Sequence, residues 1–293
     1  MIVLAFTLLT FIWGSTWVAI KVGLNDFPPL LFASTRFLLA TLVLYFILKL
    51  KKQKLPRDWF SLYSAIVFGL LNGIAYGLIF WGEQYISSSL TAIINAILPF
   101  FSAVFAYFLV SEPLSSNKIL GLILGFLGVL LIFGENLGEF SNLKIWGEVA
   151  VLFSAAIYAF AGAHAKKHHN NLNALQAVTI QMASSTLVLL LIAIPLEHGA
   201  IIRYSFSSVL AFLYLSIFGS AVAFLLYYYL LQRIEVSKLS YISLITPVIA
   251  VLIGVIWMNE PLKWQFIVGL LLALLGMTVI NYSPTKNTKE TPC

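Results

Sequence analysis

Apolar residues run through this chain in long stretches, and polar ones gather in the short gaps between them. Ten such stretches stand at residues 2–21, 29–48, 61–82, 88–110, 117–134, 146–165, 174–195, 208–231, 237–257 and 264–282. Each falls within the length of about 17–25 residues that a helix needs to cross a bilayer. None alternates apolar and polar positions in the manner of a barrel strand, so the pattern predicts helices. The gaps are short, which predicts one bundle. The first stretch is expected to be a retained helix and not a leader: no basic residue precedes it, it holds Trp13 and Trp17, and no small-residue cleavage pattern follows.

Composition agrees with this pattern. Hydrophobic residues make up 61% of the 293 and charged residues 10%, against about 25% charged in a soluble domain. Most of the surface therefore faces something other than water, and no sizeable soluble domain fits. The single Cys, Cys293, excludes an internal disulfide and a cysteine metal cluster. The net charge of +6 matters less than its placement. Twelve Lys and Arg fall in gaps on one side of the bundle, beginning with Lys49, Lys51, Lys52, Lys54 and Arg57, and four (Lys21, Lys144, Arg203 and Lys263) fall on the other. Arg36 lies inside a stretch. By the positive-inside rule the Lys-rich side, with both termini, is expected in the cytoplasm.

The chain also repeats itself. "SEPLSSNKILGLILGFLG" (Ser111 to Gly128) returns as "NEPLKWQFIVGLLLALLG" (Asn259 to Gly276) at an offset of 148 residues. The same offset, without gaps, sets Pro247 on Pro99, Glu260 on Glu112, Gly269 on Gly121, Gly276 on Gly128, Gln232 on Gln84 and Ser243 on Asn95. Five crossings per half is an odd number, so the second half is expected upside down relative to the first. The fold expected is an all-α integral membrane protein: ten transmembrane helices as two inverted five-helix repeats, at 2–134 and 146–282, with a cytoplasmic tail at 283–293. Inverted repeats are a common construction of secondary transporters, with the substrate site near the midplane between halves.

Those motifs, with "FIWGSTWVAIKVG", "STRFLLA" and "GEQYISSSLTAIINAILPFF", resemble the EamA family of the drug/metabolite transporter superfamily over nearly the whole chain. The resemblance implies a central cavity lined by the first, third, fourth, sixth, eighth and ninth helices, with the fifth and tenth peripheral. It also implies substrates among amino acids, other small metabolites and drugs, often exported. The second half departs from the first where Trp13-Gly14-Ser15 becomes Ala161-Gly162-Ala163 and Arg36 becomes Ser184.

Several residues carry candidate chemistry. Trp13, Thr16 and Trp17 share a helical face and read as a cavity wall or as packing. Asn72, Tyr76 and Glu83 share another, beside the stripe Gly69, Gly73 and Gly77, which reads as close helix packing. Ser220 is the counterpart of Asn72, with Tyr227 on its face. Glu83 is expected at a solvated helix end, with proton or counter-charge duty as the sharper alternative. Arg36 lies roughly 10 Å inside its stretch, placed to snorkel, to hold a structural position or to pair with an anion. Gln84 and Gln232, with Asn95 and Ser243 each four residues before a proline, offer amides and hydroxyls to a broken turn or to a ligand. His164 and His168 stand four apart without a third metal ligand, so no metal is expected, though His164 is kept as a cavity candidate. Glu112 and Glu260 suit the start of the helix that follows each.

No phosphate-binding glycine loop and no nucleophile–base pair is written, so neither a cofactor nor an enzyme is expected. The sequence therefore reads as a secondary transporter, with export the favoured direction, of small polar metabolites such as amino acids or drugs, working by alternating access. A lipid-linked substrate flippase or a non-transporting scaffold are the alternatives. Expected partners are a small-molecule substrate and the lipid bilayer, with a homodimer allowed and no nucleic acid.

Overall fold

The computed structural model describes residues 1–56, 59–111, 116–133, 143–168, 172–231, 233, 241–261 and 263–281. Gln232, Glu112 and Cys293 lie outside the described residues, as does the side chain of Ser243. Among the described residues the chain is all helix: α1 (Ile2–Gly23), α2 (Pro29–Leu50), α3 (Trp59–Glu83), α4 (Ser88–Asn95), α5 (Leu98–Val110), α6 (Ser116–Phe133), α7 (Leu143–Lys167), α8 (Ala174–Leu196), α9 (Phe206–Tyr214), a π-helical segment (Leu215–Val222), α10 (Ala223–Leu231), α11 (Tyr241–Met258) and α12 (Trp264–Asn281). These form ten rods, because α4 and α5 belong to one expected crossing and α9, the π segment and α10 to another. Seven helices are long and apolar enough to cross a membrane, and three further apolar helices are shorter over the described residues.

Local chemistry sets the ends. Ser87 accepts from the Leu90 amide and Ser205 from the Ser208 amide, each at 3.2 Å, at the starts of α4 and α9. Asn173 and Gln176 form a reciprocal capping box at the start of α8. Pro28 precedes α2 and Pro29 opens it, where a missing amide costs nothing. The fourth rod is not the continuous helix expected. It breaks at Ala96 and Ile97, and Pro99 opens α5. Pro247 lies inside α11, the same position in the second half.

Packing follows the repeat. α3 packs on α7 and α8, as α9, the π segment and α10 pack on α1 and α2; α1 packs on α11 as α7 packs on α5. α2 with α8, α4 with α11 and α6 with α12 are pairs that the repeat maps onto themselves. The glycines of the duplicated phrase explain themselves in the last pair. A Cβ on Gly128 would stand 2.8 Å from the carbonyl oxygen of Gly269, and one on Gly276 would stand 2.7 Å from that of Gly121. Gly121 faces Gly276 and Gly128 faces Gly269, so α6 and α12 run antiparallel with their backbones touching. That orientation is what two inverted halves require. The stripe on α3 does similar work against α8: a Cβ on Gly69 would meet the Gln181 carbonyl at 2.5 Å, and one on Gly73 would meet Val188 Cγ1 at 2.5 Å.

Replacing Gly73 or Gly128 with Leu should therefore cut the yield of monodisperse protein and lower its melting temperature, by overpacking worth about 1–3 kcal/mol. Gly162 has nothing within 4 Å of a built Cβ, so Gly162→Ala should melt at or slightly above wild type. Equal melting of all three variants would refute this packing.

Candidate substrate cavity

A cavity of about 100 Å³ lies where the broken helices meet the bundle centre. Its wall comes from α1, α3, the α4–α5 break, α7 and α11. Both proline positions reach it: Asn95, Ala96 and Leu98 flank the break, and Thr246 and Pro247 face it from α11. Proline supplies no amide to the carbonyl four residues earlier, which is that of Asn95 for Pro99 and of Ser243 for Pro247. Backbone of this kind is tolerated at membrane depth where protein or a polar cavity receives it. The volume is room for about three water molecules, well below the several hundred Å³ of a small-molecule site.

Five of the sequence candidates converge on this wall: Trp13, Thr16, Trp17, Tyr76 and Asn95. Trp13 packs edge-on against Phe224 at 5.8 Å and at a tilt against Tyr227 at 5.5 Å. Its buried indole N–H has no hydrogen-bond partner. Tyr227 thus backs the wall without lining it. Thr16 is tied down by donating to the Trp13 carbonyl at 2.7 Å. Ser154 and Tyr158 also line the cavity and were not among the sequence candidates. They stand four apart on α7, the spacing that selected the pairs on α1 and α3. Of the six helices implied by the family resemblance, the eighth crossing contributes none of the lining residues.

The other candidates sit elsewhere. Asn72 is fully buried and donates to Ser185 Oγ at 3.0 Å, which donates in turn to the Gly69 carbonyl at 2.7 Å. It ties α3 to α8. Ser220 meets Arg36, whose Nε donates to Ser220 Oγ at 2.8 Å while Nη2 donates to the Gly219 carbonyl at 3.3 Å. The π segment makes this contact: Ser220 Oγ donates five residues back, to the Leu215 carbonyl, and the wide turn offers its backbone to the guanidinium. Phe37, Tyr76 and Phe80 surround Arg36 at 5.1–5.7 Å. Arg36 does not snorkel; it is 1% exposed, behind the cavity face of Tyr76. Gln84 is exposed and donates to the Trp81 carbonyl at 3.1 Å. His164 lies at the Lys-rich end, 4.3 Å from the His168 ring and edge-on to Tyr63. No group of three or more metal-binding side chains occurs among the described residues.

The acids at the Lys-poor end act on helix termini. Glu260 caps α4, across the halves and not the helix that follows it: Oε1 accepts from the Ser88 amide at 2.8 Å and its hydroxyl at 2.7 Å, while Oε2 accepts from the Ser89 amide at 2.9 Å and from its hydroxyl. Glu197 accepts from the amides of Leu30 and Leu31 at 2.8 and 2.7 Å, at the start of α2. Asp26, in the turn before α2, takes the hydroxyls of Ser205 and Ser208, which hold its carboxyl below the usual carboxylate range. Glu83 was expected at a solvated end, yet it is fully buried. The backbones of α3 and α7 touch beside it, at Gly82 and Gly147.

Comparison with known proteins supplies context. Residues 1–134 and 145–282 match the EamA-like transporter family. The chain is 29% identical over 269 residues to the Uncharacterized transporter YoaV of Bacillus subtilis (strain 168), covering 92% of each. It is 30% identical over 294 residues to an Uncharacterized transporter of Archaeoglobus fulgidus, covering 95% of this chain and 97% of the other. It is 27% identical over 277 residues to the Uncharacterized inner membrane transporter YedA of Escherichia coli (strain K12), covering 92% and 88%. A crystal structure superposes with a TM-score of 0.70 over 94% of this chain and 96% of that one at 18% identity, which establishes the shared fold.

The Asn72 contact carries a test. Asn72→Ala removes a buried donor to Ser185, and should cost about 1–3 kcal/mol of stability, read as a lower melting temperature in detergent. An unchanged melting temperature would contradict the α3–α8 tie.

Proposed function

The chain belongs to the EamA-like transporter family and is a multi-pass membrane protein and not an enzyme, and from that premise we propose that it moves a small neutral or zwitterionic metabolite or drug by alternating access between its two halves. The observation that carries this is the chemistry of the central wall. Trp13, Trp17, Tyr76 and Tyr158 supply flat apolar faces, and Asn95, Ser154, Thr16 and Thr246 supply uncharged hydrogen-bonding groups. None of the described lining residues is an acid, a Lys or an Arg. A strongly anionic or cationic solute would find no counter-charge there, and burying it would cost several kcal/mol. Amphipathic aromatics orient a solute with one apolar and one polar side.

Carbonyls freed at Pro99 and Pro247 support the same reading. Broken helices at the repeat interface are where transporters receive the polar part of a substrate. A cavity this small must widen toward one side at a time to pass a solute. The reciprocal packing of the halves supports two such openings. The proposed topology sets the Lys-rich end in the cytoplasm, and the family resemblance favours export.

Two measurements test this. In proteoliposomes, a labelled panel of neutral amino acids and small uncharged drugs should include members whose flux saturates. Trp17→Ala should lower that flux at subsaturating substrate by about tenfold, as loss of a packed aromatic anchor does, without loss of folded protein. A panel that does not move, or a Trp17→Ala variant that moves it normally, would refute the assignment. Reporter fusions after Lys54 and Lys167 should read cytoplasmic and one after Ile201 external; the opposite pattern would reverse the topology.

A further inference from the structure

Glu83 is a buried acid that the cavity does not use. It ends α3, is fully buried, and has no hydrogen-bond partner on either carboxylate oxygen. The donor nearest in function is Lys21, from the last turn of α1. Its Nζ donates to the carbonyls of Glu83 at 2.6 Å, Ile86 at 2.7 Å and Gln84 at 3.3 Å. An ammonium has three N–H groups, so all are spent on the carbonyl end of α3 and none is left for the carboxylate. Arg36, facing from α2, gives Nε to Ser220 and Nη2 to Gly219, while its buried Nη1 makes no hydrogen bond, to Glu83 or to any other described residue. Glu260, facing from the turn after α11, is occupied by Ser88 and Ser89. α7 presents another acid, Glu148, also buried, with Lys144 one turn before it on the same helix. A Cβ on Gly82 would stand 2.6 Å from the Gly147 carbonyl, and one on Gly147 would stand 2.8 Å from that of Gly82. The backbones of α3 and α7 therefore touch one residue before Glu83.

An ionised carboxylate buried without hydrogen-bond donors costs several kcal/mol, which the neighbouring Lys21 charge offsets in part, and a neutral acid does not carry that cost. The closed joint accommodates Glu83 as the neutral acid. The position equivalent to Glu83 in the second half is Leu231, so the opposite end has no matching acid at this place. We propose that Glu83 is a proton-binding site, and that its protonation closes the Lys-poor mouth of the bundle. Opening draws Lys21 off the end of α3 and lets water reach the carboxyl. The O–H bond of Glu83 then breaks, its proton passes to water, and the carboxylate stays behind hydrated. Closing reverses each step, so one proton is bound per closure. The idea rests on the alternating-access reading only for the meaning of the opening; the proton site stands on the geometry of α1, α3 and α7.

The test needs no substrate. Wild type, Glu83→Gln and Glu148→Gln are placed in lipid nanodiscs, and the infrared carbonyl stretch of protonated carboxyls is followed from about pH 5 to about pH 8, where an unperturbed carboxyl is already ionised. A protonated band that fades as pH rises, present in wild type and Glu148→Gln but lost in Glu83→Gln, is expected. A wild type without the band, or a band lost only in Glu148→Gln, would overturn the proposal. In parallel, spin labels on N25C and Q84C, in a C293S background, report the separation of the α1 and α3 ends. The ratio of long to short distances should rise by about tenfold per pH unit where one proton is linked to opening, and should be pH-independent and short with E83Q added. A ratio indifferent to pH in the wild-type background would overturn the linkage even if E83Q fails to fold. If no panel solute moves in proteoliposomes while the band and the distances behave as stated, the transport reading fails and the proton site stands.

Discussion

Everything in this molecule depends on helix backbones touching. Lipid offers no hydrophobic drive between apolar helices, so association rests on close packing and on hydrogen bonds across helices. Gly128 against Gly269 and Gly276 against Gly121 place α6 and α12 carbonyl to Cα. Gly69 and Gly73 do the same for α3 on α8. Once backbones are this near, short polar side chains can bridge them, as Asn72 and Ser185 do. The helix pairs that meet this way are the ones the repeat exchanges or maps onto themselves. Symmetry in sequence thus becomes symmetry in packing.

Polar groups in such a bundle must find partners within it. The charged side chains settle this in a consistent way. Glu260 and Glu197 take exposed amides at the starts of α4 and α2, and Lys21 takes the carbonyls at the end of α3. Each complements the helix dipole at the end it touches. Arg36 does so laterally, on a π-helical turn that widens to present Gly219 and Ser220. π turns often mark functional places, and here one lies behind Tyr76, on the cavity wall. Glu83 is the exception, an acid with no partner.

The breaks in the helices shape the central cavity. An unbroken fourth crossing would keep its carbonyls within itself. Pro99 and the interruption at Ala96 and Ile97 release them at the bundle centre, and Pro247 answers from the other half. Aromatic and uncharged polar residues stand around them on the cavity wall. The fifth and tenth crossings, held by their glycines, serve the halves as a joint away from that wall.

The sequence by itself determined the ten crossings, their grouping in two halves and the odd count that inverts one of them. Those follow from the length and apolarity of each stretch and from a gapless offset. It also determined which residues share a helical face, so Trp13, Thr16 and Trp17 on α1 and Tyr76 on α3 could be grouped before any packing was known. Periodicity fixes a face but does not say what lies opposite it. Only the tertiary structure decided that Asn72 turns to Ser185 while Tyr76, one turn on, meets the cavity. Only it brought Ser154 and Tyr158 to the same wall, set Glu260 on a helix of the other half, and buried Glu83 at an end that by position alone should meet water. Each of these is a contact between segments far apart in the chain, made by how closely particular backbones approach, and a local pattern holds no record of that distance.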